Sequence, residues 1–199
     1  MKRLITGLTF LLLTATSVYP QAVVWEAPVF DDSETRYASE LIRKGRYDKA
    51  IEFLLEVYEV RKNTNHKRTV DLLVNAYQNS KQYDLLKDFA EEYHKEFPDS
   101  LEGYLIQAKS LFLTGEDEKA RDKLTEALNE LPDERMKFTR IAREFMSNGI
   151  LQDAIDAYHE GRNRLDDPFE FSREIAGLYE ALGRYSDAAS EYLLQTIKN

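Results

Sequence analysis

Apolar residues recur with a helical period in five successive stretches of this chain, and each stretch contains two such segments. In the fourth stretch Phe138, Ile141, Ala142 and Phe145 stand at i, i+3, i+4 and i+7, which places them on one face of a helix. A second apolar segment follows after a few residues and contains Tyr158. The pattern predicts five units, each a pair of helices joined by a short turn.

A small residue recurs at one place in the second helix of four units. The positions are Ala50, Ala120, Ala154 and Ala188, with Leu86 in the remaining unit. Successive positions are separated by 36, 34, 34 and 34 residues. A fixed period near 34, with a small residue that lets two helices approach closely, predicts a stacked helix-turn-helix array.

Glycine and proline mark the ends of the predicted helices. A glycine lies five residues before each alanine, at Gly45, Gly115, Gly149 and Gly183. Glycine suits a helix-ending turn with positive φ, where a side chain costs about 1–2 kcal/mol. Unit two departs from the pattern, with Lys81 at the glycine position. Prolines follow three of the second helices, as expected for a residue that cannot continue a helix, at Pro98, Pro132 and Pro168.

These positions together resemble the tetratricopeptide repeat, and units three and four match it best. The matching residues are Tyr104, Ala108, Leu111, Gly115, Ala120, Leu124, Ala127 and Pro132, and then Phe138, Ala142, Phe145, Gly149, Ala154, Tyr158 and Pro168. The resemblance extends from about Ser33 to the C-terminus and implies an all-α, right-handed α-solenoid of about five repeats with a concave binding groove. The units are expected at about 33–64, 67–99, 101–133, 135–167 and 169–199.

The first residues have the pattern of a secretory signal peptide. Lys2 and Arg3 precede an apolar run over 4–13, and small residues follow at 14–17. We expect cleavage after Ser17, with cleavage after Ala22 as the alternative. An uncleaved anchor competes with this interpretation, but the run is shorter than the roughly 20 residues that cross a bilayer.

The sequence contains no cysteine, so attachment of a lipid to an N-terminal cysteine is excluded. The predicted location is therefore secreted or periplasmic, without stable membrane insertion after signal cleavage. Residues 18–32 contain two prolines and the β-favouring run Val23-Val24-Trp25, and we expect this segment to be extended. Two interpretations of Trp25 remain open: it caps the first repeat, or it binds a partner.

The net charge of the chain is −9, from 27 basic and 36 acidic residues. Removal of Lys2 and Arg3 with the signal peptide makes it about −11. This charge argues against nucleic acid and anionic lipid as partners.

No pattern in the chain predicts catalysis. The three histidines, His66, His94 and His159, are scattered, and we expect His94 and His159 to form solvent-facing pairs with acidic residues rather than a metal site. No glycine-rich phosphate loop or nucleophile elbow is present. We therefore predict that the protein is not an enzyme and needs no cofactor or metal.

The candidate binding residues lie on the first helices, which form the inner surface in the resembled fold. They are Asn75, Asn79, Lys109, Arg140 and Arg143. A row of cations and amides in an acidic protein suits an acidic segment or a chain carboxylate. An ordinary solvated helix surface is the open alternative.

The resulting prediction is a non-enzymatic protein–protein interaction scaffold outside the cytoplasm that binds a peptide or protein partner in its groove. The alternatives are an accessory subunit of a cell-envelope or outer-membrane assembly complex, and the N-terminal repeat region of a larger protein. Leu193, Leu194 and Ile197 lie within about one turn of each other and cannot all face unit five. We expect some of them to be exposed, which would allow self-association through the C-terminal repeat.

Overall fold

The computed structural model describes residues 33–63 and 66–198. The predicted signal peptide, the 18–32 segment and Trp25 lie outside these residues. Ten helices and no strand occur in the described part of the chain. They are α1 Ser33–Arg43, α2 Tyr47–Arg61, α3 Lys67–Ser80, α4 Tyr83–Glu96, α5 Leu101–Leu113, α6 Asp117–Glu130, α7 Arg135–Ser147, α8 Leu151–Arg164, α9 Ser172–Ala181 and α10 Tyr185–Lys198.

The helices pack as a linear array, which confirms the predicted all-α fold class. Each helix contacts the next one in sequence, and the first helices of neighbouring units also contact one another, as in α1 with α3 and α5 with α7. None of the described helices is both long and apolar enough to span a bilayer.

The turn inside each unit ends the first helix in the left-handed conformation. Gly115, for example, has a φ of +78°. Its N–H donates to the Phe112 carbonyl at 3.1 Å, and the next N–H, of Glu116, donates to the Leu111 carbonyl at 2.9 Å. This pair of bonds is the Schellman motif, which satisfies carbonyl groups left free at a helix C-terminus.

Lys81 adopts the same turn without glycine. Its φ is +59°, and the N–H groups of Lys81 and Gln82 donate to the carbonyls of Gln78 and Tyr77 at 3.2 and 3.0 Å. The packing of unit two therefore imposes the turn on a residue with a Cβ, at a steric cost that glycine would not have.

Lys81→Gly is expected to raise the free energy of unfolding by about 1 kcal/mol, because it removes that steric cost. Lys95→Gly, within helix α4, is the matched control and should lower it by about 0.5–1 kcal/mol. Urea denaturation of both variants measures the difference. An equal loss of unfolding free energy in the two variants would show that the backbone of Lys81 is not strained.

The repeated alanines and Leu86 are packing residues. All five positions are buried, and the two helices of each unit contact one another. Many other apolar residues of the helices are buried as well, whereas Tyr37 on α1 and Tyr192 on α10 are exposed to 52% and 38%. The Tyr37 ring packs edge-on against Phe53 at 5.0 Å, and the Tyr192 hydroxyl donates to Glu180 at 3.2 Å, so both lie at the surface of the array.

The C-terminus of α6 is held by two basic side chains of unit four. The Lys137 ammonium donates to the carbonyls of Leu128 and Leu131 and to Asp133, at 2.9, 2.8 and 2.8 Å. Arg164 donates to the same Leu128 carbonyl at 2.6 Å. Cations are favourable at a helix C-terminus, where carbonyl groups lack partners within the helix. We call this arrangement the α6 clamp.

A buried ion pair joins α8 to α10. Arg162 binds both carboxylate oxygens of Glu191, at 2.6 and 3.1 Å, and the side chains are only 11% and 9% exposed. Arg162 also donates to the Glu170 carbonyl at 3.0 Å and to the Ser172 hydroxyl at 3.2 Å. The guanidinium therefore ties the turn between α8 and α9 to the last helix described.

Candidate functional site

A cavity of about 280 Å³ lies between α3, α5 and α7, the first helices of units two to four. Four of the five predicted binding residues line it. They are Asn75, Lys109, Arg140 and Arg143. The fifth, Asn79, does not line the cavity, and its amide donates to the carbonyl and side-chain oxygens of Asn75 at 2.8 and 3.2 Å. We call this cavity the α3–α5–α7 groove.

The repeat period explains why these residues meet. Asn75, Lys109 and Arg143 are spaced by 34 residues, so they occupy equivalent positions on three neighbouring first helices. Stacking the units places the three side chains along one surface. The row predicted from the sequence is thus brought together in space.

Carboxylates that the sequence prediction missed also line the groove. Glu102 accepts a hydrogen bond from Arg140 at 2.6 Å and another from Lys67 at 3.2 Å. Burial alone would raise the pKa of Glu102, but the charges and hydrogen bonds of Arg140 and Lys67 outweigh it and lower that pKa. Arg140 is therefore already paired with an ionised carboxylate.

Glu144 occupies a different environment. Burial raises its pKa above the ordinary value, and Lys109 and an amide hydrogen bond from Asn148 only partly oppose that effect. The Lys109 ammonium lies 3.8 Å from the nearer oxygen of Glu144, which is long for an ion pair. This pairing is loose and can rearrange when another charged group enters the groove.

The charges of the groove balance. Lys109, Arg140 and Arg143 stand against Asp71, Glu102 and Glu144. Among the residues that the structure describes, Asp71 on α3 and Arg143 on α7 have no ion-pair partner. The groove therefore presents a free negative charge on one side and a free positive charge on the other.

The missed carboxylates have a signal in the sequence. Lys67 and Glu102 are 35 residues apart, and so are Lys109 and Glu144. Side chains of adjacent units meet at one period plus a few residues. Lys67 and Lys109 each have an acid at that offset, and the rotation between neighbouring units decides whether the two side chains meet.

The expectation that His94 and His159 are solvent-facing is wrong. Both side chains are half-buried between units: the His94 ring packs against Tyr104 at 4.5 Å, and Nε2 of His159 lies 3.2 Å from the Tyr179 hydroxyl. Burial lowers the pKa of each imidazole. Each ring contacts the neighbouring unit on one side and is therefore partly shielded from water.

No group of three or more His, Asp or Glu residues in the described ranges is close enough to hold a metal ion.

The sequence predicts that some of three apolar residues on α10 are exposed, namely Leu193, Leu194 and Ile197. Leu193 and Ile197 are 65% and 70% exposed, and Leu194 is half-buried. Self-association through this surface stays a prediction.

The ten helices of residues 33–63 and 66–198 form stacked pairs with a groove across their first helices. This arrangement defines a helical-repeat protein of the kind that acts as a protein–protein interaction scaffold. Residues 139–199 match the tetratricopeptide repeat family. This match confirms the tetratricopeptide-repeat resemblance drawn from the sequence.

Solved structures that are similar to this chain have low sequence identity to it. The thermophilic tetratricopeptide-repeat protein TTC0263 of Thermus thermophilus has a TM-score of 0.50 and 16% identity, over 82% of this chain and 89% of that one. A structure of MamA has a TM-score of 0.48 and 21% identity, over 81% of this chain and 93% of that one. These similarities concern the fold alone. A comparison with curated proteins gave no match.

Proposed function

We propose that this protein is an interaction scaffold outside the cytoplasm and that it holds an extended segment of a partner protein in the α3–α5–α7 groove. The proposal rests on two opposite charges, Asp71 on α3 and Arg143 on α7, that have no ion-pair partner among the described residues. Lys109, which is only loosely paired with Glu144, lies on α5 between these two helices. A segment with an acidic residue near α7 and a basic residue near α3 complements both charges and is held in one direction.

The charge balance changes the expected ligand. A purely acidic segment would suit the row of cations predicted from the sequence, but Glu102 already binds one of these cations, Arg140. The amides of Asn75 and Gln78 also line the groove and can bind the backbone of an extended chain. The favoured ligand therefore carries charges of both signs.

Reversal of the free cation tests the proposal. Peptides selected for binding to the full chain should carry an acid and a base in a constant order. Arg143→Glu should weaken their binding about tenfold, roughly 1.4 kcal/mol, because an attraction becomes a repulsion. Replacing the acidic residue of the peptide by lysine should restore affinity for this variant. Fluorescence anisotropy measures all four combinations.

Arg173→Glu is the matched control, because Arg173 is an exposed arginine on α9 that does not line the groove. It should leave the affinity within about twofold. An equal loss in both variants, or no rescue by the charge-swapped peptide, would contradict binding in the groove.

The proposed location rests on the apolar run after Lys2 and Arg3 and on the small residues before Val18. N-terminal sequencing of the protein recovered from cell fractions tests it. A chain that begins at Val18, or at Val23 for the alternative cleavage, in the extracytoplasmic fraction supports the proposal. A chain that begins at Met1 in the cytoplasmic fraction would contradict it.

A further inference from the structure

Two of the three histidines lie on second helices and contact the first helix of the next unit. His94 is in the last turn of α4, and its ring centroid is 4.5 Å from that of Tyr104 on α5. Nε2 of His159 on α8 is 3.2 Å from the Tyr179 hydroxyl on α9. We call the contacts of α4 with α5 and of α8 with α9 the histidine boundaries.

Nδ1 of His94 lies where a proton is unfavourable. This nitrogen is close to the backbone of α5, because a Cβ at Gly103 would lie only 3.0 Å from it. It is buried and has no hydrogen-bond partner among the described residues. The neutral ring therefore carries its proton on Nε2. A second proton, on Nδ1, would create a buried donor without an acceptor and a buried charge, and both weaken the contact.

Burial keeps His94 neutral. The charged groups on the elements around the His94–Tyr104 contact are Lys123, Glu126 and Glu130 on α6, Asp99 in the turn before α5, and the exposed Glu91 on α4 itself. Burial is the largest influence and lowers the pKa of His94. Lys123 lowers that pKa further and Glu126 opposes the change, and these two side chains are paired with each other at 2.7 Å.

His159 lies beside cations as well. The charged groups around the His159–Tyr179 contact are Arg162 and Asp156 on α8, Glu191 on α10 and Arg184 in the turn before α10. Burial lowers the pKa of His159 and Arg162 adds to this effect, while Glu191 and Asp156 oppose it only in part. The Arg184 guanidinium lies 4.4 Å from the centroid of the Tyr179 ring, so an imidazolium would add a further positive charge to this boundary.

The boundary between units three and four is different. Neither α6 nor α7 contains a histidine. The contacts here include the α6 clamp and an ion pair between Arg121 and Asp153 at 3.3 Å. Histidine is the side chain whose ordinary pKa lies between pH 5 and 8. Mild acid therefore changes the charge at the histidine boundaries and leaves the contact between units three and four as it is.

We propose that mildly acidic pH loosens the two histidine boundaries while units three and four stay packed together. Each boundary holds a half-buried, neutral imidazole against an aromatic residue of the next unit. Once a boundary opens, its imidazole binds a proton with the ordinary pKa of about 6.5, which is higher than in the closed state. The stabilisation is therefore present above pH 6.5 and is lost as the pH falls through the pKa of the closed state.

The first histidine boundary crosses the α3–α5–α7 groove, because α3 lies on one side of it and α5 and α7 lie on the other. Loosening it separates Asp71 from Lys109 and Arg143, so the groove should bind its segment less tightly in mild acid. This consequence rests on the proposed function, whereas the acid response itself does not. An acid response without a change in peptide affinity would contradict the role of the groove alone.

Hydrogen exchange of the full chain at pH 7.5 and 5.5, corrected for intrinsic exchange rates, tests the acid response. Opening constants of amides in α4 and α9 should rise about three- to tenfold, because each opening takes up at most one proton over the unit below pH 6.5. Those in α6 and α7 should change less than about twofold. NMR titration of the three histidine rings should show that His94 and His159 titrate below pH 6.5.

His94→Gln should abolish the response in α4 and leave the response in α9, and His159→Gln should do the reverse. His94→Phe keeps an aromatic ring against Tyr104 and should also abolish the response in α4, which separates the loss of titration from the loss of packing. Lys95→Gln is the matched control, because it removes an exposed charge from the same turn of α4. It should leave both responses within about twofold.

Three results would overturn the proposal. The first is an acid response in α4 that persists in both His94 variants. The second is an equal loosening of α6 and α7 in mild acid. The third is a His94 ring that titrates at or above pH 6.5.

Discussion

Glu191→Ala is expected to lower the free energy of unfolding by about 3–5 kcal/mol. The substitution leaves the Arg162 guanidinium buried without its bidentate carboxylate, at 11% side-chain exposure. The remaining bonds, to the Glu170 carbonyl and the Ser172 hydroxyl, do not neutralise the charge. Breaking one side of a buried pair is costly because the desolvated charge remains.

Asp187→Ala is the matched control on the same helix. Asp187 pairs with Arg184 at 2.7 Å, but these side chains are 46% and 45% exposed, so the loss should stay below about 1 kcal/mol. Urea denaturation gives the stability of both variants. Hydrogen exchange should locate the loss from Glu191→Ala in α9 and α10, because each unit of an array contacts only its neighbours. Similar small losses in both variants would show that the Arg162–Glu191 pair is not a major support of unit five.

Gly161→Ala is the second substitution with a large expected effect, a net loss of about 2 kcal/mol from overpacking. A Cβ at Gly161 would lie 2.6 Å from Cγ of Phe138 and 2.8 Å from a ring carbon of Phe171. Both rings are buried in the core of units three to five, so neither can move aside freely. The higher helix propensity of alanine offsets only about 1 kcal/mol of the strain.

Gly177→Ala makes the same chemical change without the clash. Beyond the adjacent residues of α9 itself, no atom lies within 4 Å of the added Cβ, so the variant should gain about 0.5–1 kcal/mol from helix propensity. Thermal and urea unfolding of the two variants should therefore shift in opposite directions. A stabilised Gly161→Ala protein would mean that α7 and α8 separate without cost.

The sequence was sufficient to predict the architecture because the fold repeats one helix-turn-helix unit along the chain. A glycine five residues before an alanine determines where one helix ends and where the next helix packs closely. The unit without that signal, with Lys81 and Leu86, still forms the same turn and the same contact. Tertiary packing there overrides local preference, which the sequence of a single unit does not reveal.

The pairing of charged side chains in the groove could be predicted less completely from the sequence. Position along each first helix identified Lys109 and Arg143 as neighbours, since they are one period apart. It did not show that Glu144 lies beside Lys109, because that contact depends on how far one unit is rotated against the next. The same rotation turns His94 toward Tyr104.

The α6 clamp makes the fold of unit three depend on residues that follow it. The last carbonyl groups of α6 receive their donors from Lys137 on α7 and Arg164 on α8. During synthesis from the N-terminus, this end of unit three acquires its partners once unit four has emerged and folded. Units three and four are therefore coupled into one cooperative block. The contact between them contributes a nearest-neighbour term to the free energy of the array, and neither unit has this stabilisation alone.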